Sequence, residues 1–143
     1  MKLISVIGYL LMITAVLSLA AMHLLFSFSA VVIVVQLLSV VLMVWARKTF
    51  GMRSFHVTAN TTEGALITNG PYKFIRHPIY ASILYFAFAG IMANLIVVSV
   101  LLFMLLIAGC FIRIFTEEKY LKIKYPEYKE YSIKTKRIIP FIF

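Results

Sequence analysis

Three long apolar runs separated by polar segments dominate the chain. The first extends from Leu3 to Met22, the second from Leu24 to Ala46, and the third from Ile79 to Ile112; none contains a charged residue. Runs of about 20 apolar residues are long enough to span a bilayer as helices. The pattern therefore predicts membrane helices, not the core of a soluble domain.

The first run has an alternative interpretation as a cleaved signal peptide. The apolar part of such a peptide is about 7–15 residues long. The run from Leu3 to Met22 is longer, and a second span follows almost at once, so we favour a retained helix. Trp45 near the end of the second run suits the headgroup level of a bilayer.

The third run is too long for one span. At 1.5 Å per residue, a single helix from Ile79 to Ile112 would be about 51 Å long, whereas the hydrocarbon core is about 30 Å thick. Asn94 lies near the middle of the run. We predict two short antiparallel helices joined by a tight turn at Ala93 and Asn94. The expected fold is a single-domain (1–143), all-α integral membrane protein with four transmembrane helices, at about residues 3–22, 24–46, 79–93 and 95–112. A loop (47–78) and a helical tail (113–143) are expected to form the functional site.

The distribution of positive charge supports four spans. Of the 14 Lys and Arg residues, one is Lys2, five lie in the loop between the second and third spans, and eight lie in the tail. The turns near His23 and Asn94 carry none. Basic residues favour the cytoplasmic side, so both termini are expected in the cytosol. The expected membrane is the plasma (inner) membrane in a prokaryote or the endoplasmic reticulum in a eukaryote. A three-span or five-span topology would divide these charges.

Composition argues against several other kinds of protein. The net charge of +9 fits basic residues that flank membrane helices and attract anionic lipids. The basic residues are not gathered in a soluble domain, so no nucleic-acid partner is expected. Neither the three histidines nor Cys110 have the spacing of a metal site, and no Gly-x-Gly pattern suggests a phosphate-binding loop. We predict no bound metal; the sequence makes no prediction about oligomeric state.

The densest polar cluster is the stretch NGPYKFIRHPIYA, residues 69–81. Asn-Gly favours a turn, and Pro78 suits the first turn of the third span. Arg76 and His77 would then lie at a helix N-terminus, which can hold an anionic or polar ligand. The alternative is that Arg76 anchors to lipid phosphate and His77 caps a turn.

A second polar segment, RIFTEEKYLKIKYPEYKEY, covers residues 113–131. Arg113 and Glu117 are four residues apart and would share a helical face, with Glu118 beside them. A local ion pair at the membrane exit is the alternative interpretation. Apolar positions continue the helical pattern out of the membrane until Pro126, which is expected to end or bend the helix.

Together the two segments resemble the isoprenylcysteine carboxyl methyltransferase family, within the wider group of membrane phospholipid methyltransferases. The shared pattern is Gly-Pro-Tyr, Arg-His-Pro-x-Tyr, a helical hairpin, then Arg-x-x-x-Glu-Glu with an aromatic tail, and it covers about residues 64–131. The chain departs from it at Ser82, where the family often has glycine. The two larger motifs, in this order and one hairpin apart, make the resemblance specific.

The resemblance implies S-adenosylmethionine as methyl donor, bound at the cytosolic face without a Rossmann domain. It implies Arg113 as a substrate-binding and catalytic residue, acting on a lipidic or prenylated acceptor in the bilayer. The residues that it implies for the cofactor are Gly64, Ala65, Leu66, Ile67, Tyr72, His77, Pro78, Ile79, Tyr80 and Glu117.

Residue chemistry agrees with this reading and leaves the acceptor open. Tyrosine rings can face the sulfonium cation, and an arginine can hold a carboxylate by two hydrogen bonds. A carboxylate acceptor needs no base, whereas an amine or thiol must lose a proton, for which His77 or Glu118 is the candidate. Carboxyl methylation of an isoprenylcysteine-like or other lipidic acceptor is the leading expectation. The alternatives are N-methylation or S-methylation of a phospholipid or a small amine or thiol, and a non-catalytic membrane scaffold or ligand-binding protein.

Overall fold

The computed structural model describes residues 2–51 and 65–142. These ranges form helices and short turns without a β-strand. Three of the helices, α1, α2 and α4, are long and apolar enough to cross a membrane, and α3 is a shorter apolar helix. The chain is therefore an integral membrane protein of helical type. The helices are α1 (Lys2–Ala21), α2 (Ala30–Phe50), α3 (Pro78–Ala93), α4 (Val97–Lys124) and α5 (Tyr128–Lys134), and a 3-10 turn covers Gly70–Lys73.

The long apolar run is broken where the sequence predicts. α3 ends at Ala93, Asn94 follows it, and α4 begins at Val97. Ser99 stabilises the start of α4, because its hydroxyl accepts a hydrogen bond from the Ile96 amide at 3.1 Å. The predicted turn within the third run is confirmed, because α3 ends and α4 begins there.

The second helix starts later than expected. α2 begins at Ala30, whereas the apolar pattern predicts a start at Leu24. The Asn94 side chain donates to the carbonyls of Leu24 (3.3 Å) and Phe26 (3.2 Å), and Gln36 donates to that of Leu25 (2.6 Å). Residues 24–26 thus satisfy their carbonyls with distant side chains instead of helical amides. Leu24 and Leu25 are buried in the core within this non-helical segment.

The helices pack as two antiparallel pairs. In the first, Ser5 of α1 contacts Arg113 of α4, whereas further along α1 the backbone of Met12 lies beside Gly109. In the second, α2 packs on α3, with Gln36 near the Phe86 carbonyl. A Cβ atom placed on Gly109 would lie 2.8 Å from the Gly8 carbonyl oxygen, so glycine allows α1 and α4 to approach closely.

The charged segments gather at one end of the helices, which we call the polar end. The start of α1, the end of α2, the 3-10 turn, the start of α3 and the outer part of α4 meet there. The rings of Phe50 and Tyr72 are 5.7 Å apart, and Ser5 lies 3.2 Å from Arg113. The turns near His23 and Asn94 meet at the opposite end. This arrangement agrees with the uneven distribution of basic residues along the chain.

The tail beyond α4 folds back onto the start of α3. α4 ends at Lys124, just before Pro126, as the sequence predicts. The carbonyl of Lys136 accepts from the Arg76 amide at 2.7 Å, and that of Arg137 accepts from the His77 amide at 3.0 Å. The Tyr85 hydroxyl donates to the Ile138 carbonyl at 2.7 Å. The tail therefore forms one side of the polar end.

Candidate active site at the polar end

The start of α3 brings His77 and Tyr80 together. Pro78 occupies the first turn of α3, and its fixed φ suits a helix start. His77 precedes the helix and Tyr80 lies within its first turn, so their rings are 5.9 Å apart. Both side chains are buried and point toward α4.

Arg113 and Glu117 lie one turn apart on α4. The Arg113 Nη2 atom is 3.0 Å from Glu117 Oε1, as expected from their spacing. The Tyr80 hydroxyl donates to the same oxygen of Glu117 and accepts from Arg113 Nε at 2.9 Å. Because α3 also joins this pair and Arg113 is buried, the contact is more than a local ion pair on one helix.

Glu117 is the acidic side chain of this cluster that solvent or a ligand can reach. Its side chain is 25% exposed, compared with 6% for Arg113 and 5% for Glu118. Its Oε1 atom is occupied by Tyr80 and Arg113, whereas its Oε2 atom lies 3.9 Å from His77 Nδ1. A partly exposed carboxylate oxygen can accept hydrogen bonds from an incoming hydroxyl or ammonium group.

Glu118 is surrounded by basic side chains. Its carboxylate accepts from Arg76 Nε at 3.1 Å and from two nitrogens of Arg137 at 3.1 and 3.2 Å. His77 Nε2 lies 3.3 Å from its Oε1 atom. These neighbours stabilise the ionised carboxylate and join the start of α3, the outer part of α4 and the tail.

Arg76 is held within the protein. Its side chain is 8% exposed, and besides Glu118 it donates to the carbonyls of Ser132, at 2.7 Å, and Thr135. The alternative in which Arg76 anchors to lipid phosphate does not match this position. The arginine instead fixes the tail against the N-terminus of α3.

The other residues implied for the cofactor lie in and around the turn before α3. Tyr72 is buried, and its carbonyl accepts from the Tyr131 hydroxyl at 2.7 Å. Pro78 is fully buried and Ile79 is half-buried. Residues 65–67 of the segment implied for the cofactor precede the turn without regular secondary structure and are partly exposed. Gly64 lies outside the described residues. The polar contacts described above do not include this segment, so its role stays a prediction.

Three residues that the sequence did not single out also contact the cluster. Ser5 and Tyr9 of α1 contact Arg113, and Arg137 of the tail contacts Glu118. Ser5 resembles other small residues of apolar helices, and Arg137 is one of many basic residues in the tail. Their positions depend on contacts between segments far apart in the chain.

Among residues 2–51 and 65–142, no group of three His, Cys, Asp or Glu side chains is arranged to hold a metal ion.

The model of the isoprenylcysteine carboxyl methyltransferase family matches residues 28–123, more than half of the chain. The chain belongs to this family. It is therefore a membrane methyltransferase in general type, and members of the family use S-adenosylmethionine as methyl donor. No curated protein and no solved structure gives a significant match.

The matched range contains α2, α3 and nearly all of α4. It includes the whole stretch 69–81 and the first part of the segment 113–131, and with them His77, Tyr80, Arg113 and Glu117. α1 lies before the matched range, and Arg137 lies after it. Family membership therefore covers the centre of the cluster but not every segment that surrounds it.

Proposed function

We propose that the chain uses S-adenosylmethionine to methylate the carboxylate of an isoprenylcysteine-like or other lipidic acceptor at the polar end. The observation that carries this proposal is the contact of buried Arg113 with partly exposed Glu117, bridged by the Tyr80 hydroxyl. Arg113, which suits an anionic acceptor, thus lies directly beside Glu117, which suits the polar groups of the methyl donor.

The residues around Glu117 fit the donor chemically. When bound, S-adenosylmethionine supplies a methyl group on a sulfonium. Glu117 Oε2 can accept from a hydroxyl or an ammonium group, and the rings of Tyr80 and Tyr72 offer aromatic surface. We assign His77, Pro78, Ile79 and the strip 64–67 to the same binding region, on the family resemblance.

Arg113 has the properties required to orient a carboxylate acceptor. Its guanidinium is permanently charged and planar, and it can form two parallel hydrogen bonds with a carboxylate. A carboxylate attacks as a nucleophile without losing a proton, so the protein mainly has to align it with the methyl group. The apolar tail of such an acceptor would remain in the bilayer that surrounds the exposed faces of the helices.

An amine or thiol acceptor, as in phospholipid N-methylation, would require a base. Of the two candidates, His77 is the better one, because Arg76, Arg137 and His77 itself all stabilise Glu118 as an anion. We therefore propose a structural role for Glu118 and retain His77 as the base for this alternative.

Titration calorimetry with S-adenosylhomocysteine tests the cofactor assignment. We expect the purified protein to bind it, and Glu117→Gln to weaken binding by about tenfold or more, since a hydrogen bond to a charged group contributes about 1.5–3 kcal/mol. Glu130→Gln is the matched control, because Glu130 is an exposed acidic residue of the tail that pairs with Lys134. A folded wild-type protein that does not bind would instead support the non-catalytic scaffold.

The acceptor class can be determined by transfer of labelled methyl groups into a total membrane extract. Methyl esters release the label in base, whereas N-methyl groups retain it. Base-labile label would support carboxyl methylation, and base-stable label would favour the N-methyl alternative. Arg113→Lys should retain S-adenosylhomocysteine binding and lose most of the transfer, because lysine cannot reproduce the two-pronged contact.

We also propose that α3 crosses the bilayer as the third of four spans. Its 16 residues correspond to about 24 Å, slightly less than the hydrocarbon core. The antiparallel pairing of α1 with α4 and of α2 with α3 supports a topology in which the polar end faces the cytosol and both termini lie there.

A further inference from the structure

The Arg113 guanidinium is contacted by three different helices. Its Nε atom donates to Tyr80 of α3, and its Nη2 atom donates to Glu117 of α4. Its Nη1 atom donates to Ser5 of α1 at 3.2 Å, and the guanidinium lies 5.4 Å from the centre of the Tyr9 ring. Each nitrogen of the guanidinium therefore has an oxygen partner. The contacts with α1 are made by the Nη1 atom and by the face of the guanidinium.

Close packing between α1 and α4 places Ser5 at this distance. A Cβ atom on Gly8 would lie 3.1 Å from Arg113 Cγ and 2.9 Å from Ile112 Cγ2, closer than ordinary contacts. Glycine at this position lets α1 lie directly against the stem of the arginine. Ser5 is fully buried, so its hydroxyl is oriented within the protein and not toward lipid or solvent.

The residues of α1 that contact Arg113 lie outside the range that the family model matches. α1 precedes the residues that the family model matches, whereas Tyr80, Arg113 and Glu117 all lie within them. A buried hydroxyl restricts a guanidinium by a charge-assisted hydrogen bond, and an aromatic face attracts the cation. Together they would fix the plane of the arginine, on which the direction of a bidentate contact depends.

We infer that Ser5 and Tyr9 are positioning residues, through which α1 orients Arg113 for the acceptor. This inference rests on the proposed function, because it assigns the task of Arg113 to that reaction. It makes α1 a part of the active site as well as a membrane anchor.

The test compares Ser5→Ala with Ser5→Thr in the full-length protein, using transfer of labelled methyl from S-adenosylmethionine into a total membrane extract. We expect Ser5→Ala to lower the maximal rate by about tenfold to a hundredfold, from loss of a hydrogen bond to a charged group. The KM for S-adenosylmethionine and the affinity for S-adenosylhomocysteine should stay near wild type. Ser5→Thr keeps the hydroxyl and should recover most of the rate.

Ser39→Ala is the matched control. Ser39 is also a buried serine of a membrane helix, but its hydroxyl donates to the Val35 carbonyl of its own helix. A rate for Ser5→Ala equal to that of Ser39→Ala would overturn the inference. An equal loss of rate in Ser5→Ala and Ser5→Thr would also overturn it, because threonine keeps the hydroxyl that the proposed role requires and alanine does not.

Tyr9 gives a second test that does not depend on the folding of the serine variants. Tyr9→Phe keeps the ring and should keep the rate, whereas Tyr9→Leu should lower it without changing S-adenosylhomocysteine affinity. Equal rates for these two variants would contradict the role of the ring. If the wild type binds and transfers but all α1 variants match it, the inference alone fails; if the folded wild type does neither, the proposed function fails with it.

Discussion

Arg137 donates two hydrogen bonds to the carboxylate of Glu118, from Nε at 3.2 Å and from Nη2 at 3.1 Å. The two residues come from the tail and from the outer part of α4. Arg76 approaches the same carboxylate from the start of α3. One buried anion thus connects three segments around the candidate site.

Arg137→Ala should destabilise the tail. The variant removes two charge-assisted hydrogen bonds but leaves Arg76 and His77 beside Glu118, so we expect a loss of about 1.5–3 kcal/mol. Thermal unfolding in detergent and limited proteolysis of the tail would measure it. Lys136→Ala is the control, since the Lys136 side chain is exposed and its backbone carbonyl keeps the bond to Arg76. Equal stability of the two variants would contradict the role of Arg137.

Glu118→Gln should be more damaging than Glu117→Gln. A neutral amide would leave Arg76 and Arg137 close together without an anion, and breaking a buried ion pair in this way costs about 3–5 kcal/mol. Glu117 is partly exposed, so its replacement should change ligand binding more than stability. Expression yield and unfolding temperature of the two variants would distinguish these roles. Similar stability with a selective loss of transfer in Glu118→Gln would instead support Glu118 as a base.

Parts of this arrangement could be predicted because their causes are local in the sequence. The break at Asn94 follows from an apolar run too long for one span, and the Arg113–Glu117 contact follows from their spacing on a helix. The end of α4 just before Pro126 follows from the chemistry of proline. Each of these features follows from one continuous segment of the sequence.

Other parts depend on contacts between distant segments and could not be predicted. Ser29, directly before Ala30, is a possible N-cap residue. The apolar run from Leu24 does not show that residues 24–26 stay outside α2, because the side chains that hold their carbonyls belong to Gln36 and Asn94. Among many basic residues in the tail, composition does not distinguish Arg137 as the partner of Glu118. The contact appears only when the tail is placed beside α3.

Gly109→Ala should separate α1 from α4. The added Cβ atom would lie 2.8 Å from both the Gly8 carbonyl oxygen and Met12 Cγ, so a helix must shift, at a cost of about 1–3 kcal/mol. We expect lower thermal stability and, through Arg113, a lower rate of methyl transfer. Ala108→Ser is the control, because it adds one heavy atom at the exposed neighbouring position. Wild-type stability in Gly109→Ala would show that the helices tolerate a wider separation.

Tyr131 should contribute stability that depends on alkaline pH. Burial raises the pKa of Tyr131 to about 12, from about 10 in an unfolded chain. Because the folded state favours the protonated phenol, this contribution is complete below pH 10 and is lost as the pH rises from 10 to 12. Tyr131→Phe should be less stable at neutral pH by about 1 kcal/mol, through loss of the hydrogen bond to Tyr72, and should decline less between pH 10 and 12.

Chemical unfolding at several pH values would measure this difference. Tyr120→Phe, which removes a hydroxyl from the outer part of α4, controls for the general effect of the substitution. A wild-type protein and a Tyr131→Phe variant with parallel profiles would contradict the assignment.

The four-span topology predicts which positions are accessible from each side of the membrane. In a Cys110→Ala background, which removes the single cysteine, cysteines at Phe28 and Leu95 should react with an impermeant maleimide outside intact cells. Cysteines at Lys48 and Lys122 should react only after the membrane is opened. Labelling of Phe28→Cys and Leu95→Cys from different sides would rule out the transmembrane placement of α3.

The backbone pairing of residues 76 and 77 with residues 136 and 137 also has a consequence for biosynthesis. Chains fold progressively from the N-terminus during synthesis, and α1, α2 and α3 can enter the bilayer before the tail is made. The carbonyls that hold Arg76, however, belong to Ser132 and Thr135. A nascent chain can therefore be inserted in the membrane and still lack the assembled candidate site until residues 132–137 have been synthesised.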